Sequence, residues 1–143
     1  MKYIGLNNRS YSINTSQYLN RPKNKSKLHL QVREFLQSHF KMQALLEEVG
    51  ISGFPKGKTL YLDFFLPNLS IVCEANGLQH SEHISHFHPT KADFLLAKHN
   101  DRLKKEWAEL NNLTLIVFSY NETQNEWINK LQGIFLEPNP SGC

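Results

Sequence analysis

Hydrophobic positions along this chain fall into two periods. From Ser26 onward, Leu28, Val32, Phe35, Leu36 and Phe40 recur at helical spacing behind a serine suited to an N-cap, which predicts a first amphipathic helix. Residues 44–49 extend that helix or form a short second one, and the glycines and proline of ISGFPKGK then mark a loop. LYLDFFLP and IVCEANGLQH read as two strands, and the PNLS tetrad between them has the turn chemistry of an antiparallel hairpin. A polar, histidine-rich connection, HSEHISHFHPTK, leads into a second helical pattern from Lys91 to Leu110, with Phe94, Leu95, Leu103, Trp107 and Leu110 as its apolar members and Thr90 as its cap. LTLIVF, residues 113–118, predicts a buried strand, and NETQNEWINKLQGIF a closing helix. The order helix, strand, strand, helix, strand, helix predicts a small α/β domain: a mixed β-sheet flanked by helices.

Residues 1–25 lack either period and read as a basic N-terminal arm. The ordered domain is expected over residues 26–136, and residues 137–143 as a loose tail. A chain of 143 residues suits one domain with a continuous core. Trp107 and Trp127 are expected to pack in that core, and Cys73 to act as a small buried hydrophobe.

Within this frame two residues are out of place. Asp63 and Glu74 each sit in an otherwise apolar strand, where an ionised carboxylate is costly unless it is paired or bound to a cation. Simple alternation puts Tyr61, Asp63 and Phe65 on one face, opposite Leu60, Leu62 and Phe64, and places Val72 and Glu74 together. Given the right hairpin register, the two acids converge into an oxygen-rich shell of the kind Mg²⁺ or Mn²⁺ prefers. His80 follows the second strand, after a turn at Gly77, and an imidazole there can move a proton near neutral pH. On the second long helix, Asp101 stands near Lys104 and Lys105, and its stripe with Phe94 and Ala97 can carry it toward the sheet.

Charge sharpens the picture. The net charge is only +3, yet the first 33 residues hold seven basic side chains and no acid, leaving nine basic against 13 acidic residues in the rest. That asymmetry favours a polyanionic partner, with Arg21, Lys23, Lys25, Lys27 and Arg33 as candidate phosphate contacts. Two cysteines, Cys73 and Cys143, make no disulfide framework, and the sequence shows neither a signal peptide nor a membrane-length apolar run. A soluble intracellular protein is expected, without a membrane partner.

Taken together, LYLDFF, IVCEANGLQH and NDRLKKEWAELNNLTLIVF resemble the PD-(D/E)xK nuclease superfamily, in particular its EDxHD homing endonucleases, which are similar to very short patch repair endonucleases. The resemblance spans about residues 26–120. It implies metal-dependent hydrolysis of DNA phosphodiesters, with Asp63 as principal ligand of Mg²⁺ or Mn²⁺, Glu74 as second acid, His80 as catalytic histidine and Asp101 as late acid. The chain departs from the superfamily at Asn76, where a lysine is common, so His80 or Lys104 must supply that function. Members also use an acid from the first-helix region; Glu34, Glu47 and Glu48 are candidates, and His29 can face the site instead. The substrate expected is a specific site on double-stranded DNA, which so small a protein would read as a homodimer on two half-sites.

Two other classes compete. His80, His83, His86 and His88, with Cys73 near in sequence, suit a structural zinc site, although no CxxC or HExxH spacing supports one. A DNA-binding module without catalysis fits the basic residues equally well, since phosphate positioning needs cations but no chemistry. It leaves the buried acids unexplained.

Overall fold

The computed structural model describes residues 1–19, 25–77 and 90–136. Its core is a four-stranded mixed sheet in the order β3-β4-β5-β6, formed by β3 (Leu46–Ile51), β4 (Leu60–Leu66), β5 (Ile71–Asn76) and β6 (Thr114–Ser119). β3, β4 and β5 are successive antiparallel neighbours, and β6 lies parallel to β5. The described helices are α1 (Lys27–His39), α2 (Lys91–Leu110) and α3 (Gln124–Leu136).

Local chemistry sets the element ends as expected. The Ser26 side chain accepts from the His29 amide and the Thr90 side chain from the Asp93 amide, each satisfying one of the donors a helix start leaves open. Between β4 and β5 the chain turns through Pro67–Leu69, with Ser70 in the left-handed region at φ 55°. β5 and β6 need a crossover because they run parallel, and α2 lies in it.

Each face of the sheet carries its own core. On one, Leu62, Phe65 and Val72 pack with Leu103, Trp107 and Ala108 of α2. On the other, Phe64, Ile71, Cys73 and Phe118 meet Val32, Phe35 and Leu36 of α1 and Trp127 and Leu131 of α3. Trp107, Trp127 and Cys73 are buried, as the sequence suggests. No helix among the described residues is long and apolar enough to cross a membrane.

Three expectations need correction. Ordered structure precedes Ser26: β1 (Lys2–Ile4) and β2 (Ser10–Ser12) form an antiparallel hairpin, followed by a 3₁₀ turn at Thr15–Tyr18. The hairpin docks through buried Tyr3 and Ile13, the Tyr3 ring meeting Trp107 edge-on at 5.3 Å and its hydroxyl accepting from the Ser52 amide at 2.7 Å. The Asn111 carboxamide both accepts from the Ile4 amide and donates to the Ile4 carbonyl, each at 2.8 Å, as a neighbouring strand would. Strands of three residues are too short to show a period, so the sequence pattern missed them. Second, residues 46–51 form an edge strand rather than a helix, because pairing with β4 overrides their local preference.

Third, simple alternation fails on β4. Leu60 and Leu62 share a core with Phe65, not with Phe64. The switch falls at Asp63, opposite Glu48, whose φ of 52° interrupts β3 at that point. The expected tail lies outside the described residues.

Candidate functional site

The interruption at Asp63 and Glu48 builds the site. Pairing between β4 and β5 runs from Leu66↔Ile71 to Phe64↔Cys73, and the next residues in that register are Asp63 and Glu74. Side chains replace the ladder there. The Asp63 amide donates to Glu74 Oε2 at 3.1 Å, and the Ala75 amide donates to Asp63 Oδ2 at 2.9 Å. β5 meanwhile stays paired with β6 out to Asn76↔Ser119. The two acids therefore converge, as the hairpin register had to allow.

They lie in a cleft of about 530 Å³ with His29, Glu48, Asp101, Lys104, Lys105 and Arg102 among its lining residues. One donor atom each from His29, Glu48 and Asp63 falls within 4.8 Å of the others, close enough to surround one cation. The mixed nitrogen and oxygen set suits a divalent ion. That trio differs from the expected Asp63 and Glu74 pair. Glu74 instead has a cationic partner in the protein, the Lys104 Nζ 2.9 Å from its Oε1.

Electrostatics follow from that pairing. Burial pushes the Glu74 carboxyl well above the usual carboxylate range, the Asp63 charge adds to the rise, and Lys104 opposes it. Burial works to lower Lys104, but the Glu74 carboxylate, by charge and hydrogen bond, and the charges of Asp63 and Asp101 outweigh it and hold the ammonium protonated beyond its ordinary range. Cys73 behind them is driven up, first by burial and then by the charges of Glu74 and Asp63, so it stays an inert thiol.

The adjacent glutamates of β3 have opposite roles. Glu47, 2% exposed, points to the α1 side, where its Oε1 lies 2.7 Å from His29 Nε2. Arg33 Nε donates to both Glu47 oxygens at 3.0 Å, and its Nη2 donates to Oε1 at 2.9 Å. Burial favours neutral Glu47, yet the hydrogen bonds and charges of His29 and Arg33 win and lower its pKa. Glu48 faces the cleft, its Oε1 2.6 Å from Lys25 Nζ. Glu34 is exposed on the outer face of α1.

The expected phosphate contacts divide. Arg33 pairs with Glu47, whose buried carboxylate its charge balances. Lys25 borders the cleft, Lys27 is exposed, and Arg21 and Lys23 lie outside the described residues. His80, His83, His86 and His88, and with them the zinc alternative, also lie outside. Arg102 and Lys105 also line the cleft, and their spacing from Asp101 and Lys104 on one helix is the sequence signal for it.

No family model matches the chain, and no solved structure matches it. A 61-residue stretch is 39% identical to "Uncharacterized protein 307L" of Invertebrate iridescent virus 6, covering 43% of this chain and 31% of that protein. The chain thus matches about a third of that relative's length.

Proposed function

We propose that the chain is a divalent-metal-dependent DNA endonuclease of the PD-(D/E)xK type, acting at a specific duplex site in the manner of homing enzymes. The observation that carries this reading is the convergence of His29, Glu48 and Asp63 donors within 4.8 Å, beside the Glu74–Lys104 pair. Cationic Lys105, Arg102 and Lys25 on the same cleft suit an anionic backbone. A non-catalytic phosphate-binding module has no need of three carboxylates at its centre.

The donor chemistry fits Mg²⁺ or Mn²⁺, with His29, Glu48 and Asp63 as the holding residues. A bound ion would supply Lewis-acid polarisation of the scissile phosphate. The remaining work belongs to the chain. Asp63 is held in place by the Ala75 amide, and Glu74 by the Asp63 amide. Lys104 lines the same cleft, and its ammonium would neutralise charge developing on a phosphate oxygen, the task that Asn76 cannot perform. Proton transfer is assigned to His80 by the family resemblance. Because one small domain reads few base pairs, two copies on two half-sites are the expected assembly on DNA.

The deciding experiment incubates supercoiled plasmid and duplex DNA with wild type and Asp63→Ala in Mg²⁺, Mn²⁺ or EDTA. Wild type should cut only with metal, while Asp63→Ala should bind DNA and leave it intact. Cleavage at the wild-type rate by purified Asp63→Ala would remove this site from the reaction.

A further inference from the structure

His29 is buried to 3% exposure, stacked on Phe64 with ring centroids 4.4 Å apart, and bonded through Nε2 to Glu47. Glu47 in turn is gripped by Arg33, one helical turn beyond His29 on α1. A carboxylate accepts hydrogen bonds and offers no proton, so the 2.7 Å contact requires the imidazole proton on Nε2. In the neutral ring Nδ1 is then left with an in-plane lone pair. One nitrogen of the same ring is grouped with Glu48 and Asp63, and Nδ1 is the nitrogen that the Glu47 contact does not use. A purely structural ion network would tie α1 to β3 equally well without bordering a cleft, but here its histidine lines the cleft wall.

We propose that the buried Arg33–Glu47–His29 chain fixes His29 as a nitrogen ligand through Nδ1, and so tunes the site toward imidazole-accepting first-row ions of the Mn²⁺ class over Mg²⁺. Glu47 is a positioning residue: it touches neither ion nor substrate and acts by setting the tautomer and ring plane. Imidazole suits transition ions, whereas Mg²⁺ favours carboxylate and water oxygens. Partners that orient a ligating histidine typically alter metal affinity by roughly 10- to 100-fold when replaced. The inference rests on the nuclease reading for the use of the ion, but ion binding is measurable without DNA.

The test loads the full chain with Mn²⁺ alone and records electron spin-echo modulation, which detects a directly bound nitrogen. Wild type should show imidazole coupling, and His29→Gln should lose it. Coupling absent from wild type, or unchanged in folded His29→Gln, would overturn the assignment. Glu47→Gln keeps the volume and an acceptor oxygen; circular dichroism reports its folding. Titration with Mn²⁺ and Mg²⁺ should show its Mn²⁺ affinity falling about tenfold or more while Mg²⁺ affinity changes less. An unchanged Mn²⁺-to-Mg²⁺ ratio in folded Glu47→Gln would refute the positioning role, because a merely structural carboxylate predicts that result. Nitrogen coupling without DNA cleavage would leave this inference standing and sink the nuclease reading; cleavage without coupling would do the reverse.

Discussion

Replacing Lys104 with methionine isolates the electrostatic design of the cleft, since it keeps the aliphatic stem and removes only the charge. The Lys104 and Glu74 side chains are 16% and 15% exposed with their charged atoms 2.9 Å apart. At an effective dielectric near 20, Coulomb attraction at that separation is about 6 kcal/mol, much of it offset by desolvation. Leaving one partner of a buried pair unmatched costs about 3 kcal/mol, the lower end of the usual range because both side chains keep some water contact. The cost depends on pH. Glu74 already has a folded-state pKa raised above its ordinary 4.5 by burial and by Asp63. Folding therefore takes up a proton as pH rises above about 4.5, and stability falls across that window. Removing Lys104 lifts the folded value further and extends the loss upward. Lys104, raised in the folded state, contributes stability present below its unfolded value near 10.5, so wild type keeps that contribution through neutrality. Urea unfolding should show Lys104→Met trailing wild type by about 3 kcal/mol at about pH 8 and by less at about pH 5, toward which Glu74 takes up its proton. Adding Glu74→Gln should recover most of the deficit. A deficit equal at both pH values, or under about 0.5 kcal/mol at the higher one, would refute the coupling.

Two further substitutions probe the scaffold. Gly53 has φ +96°, and a Cβ there would lie 2.6 Å from the Gly5 Cα, so Gly53→Ala should lower stability by about 2 kcal/mol in chemical denaturation; wild-type stability would show that the hairpin does not need this close approach. Glu122 Oε1 accepts from the Ser119 amide and from Lys130, each at 2.7 Å. Burial works to raise Glu122, but those bonds and the Lys130 charge outweigh it and lower its pKa from 4.5. Its contribution is thus present above about pH 4.5 and lost as pH falls through the folded value. Glu122→Ala should cost about 1 kcal/mol near neutrality, a figure reduced because Lys130 is 35% exposed, and the gap to wild type should close in acid.

What the sequence revealed follows from which forces were local. The LYLDFF and IVCEAN hairpin was legible because its apolar period and turn residues agree, and its acids stood out because nothing local could neutralise them. Asp63, Glu74 and Lys104 meet accordingly. LEEVGI was illegible because glutamates favour helix, and only pairing with β4 makes it a strand. The choice between Glu47 and Glu48 was also hidden: the two carboxylates look alike in sequence, and only the fold shows one on Arg33 and the other in the cleft. His29 could be nominated from its place on α1, but its bond to Glu47 depends on how α1 packs against β3. The hairpin ahead of α1 was hidden for another reason. Its Tyr3 and Ile13 are isolated apolar residues that acquire meaning only against Trp107 and the rest of that core.

The site exists because the sheet stops being regular. Had the β4–β5 ladder continued one pair further, Asp63 and Glu74 would stand as directly opposed like charges, a destabilising cross-strand pair. Instead the strands part, and the carboxylates of Glu74 and Asp63 accept from the Asp63 and Ala75 amides. This satisfies the backbone but leaves the charges to be balanced from other elements. Lys104 on α2 answers Glu74, and Lys25 ahead of α1 answers Glu48. Lys25 can withdraw without leaving a buried orphan, because its side chain and that of Glu48 are 28% and 30% exposed. A divalent ion entering among His29, Glu48 and Asp63 would therefore compete with a partly solvated ammonium, and the displaced Lys25 would stay on the cleft wall. The pair on Glu74 is thus the more buried of the two and the pair on Glu48 the more solvated. The cleft balances its acids from within the protein while leaving Glu48 the easier carboxylate for an entering cation to reach.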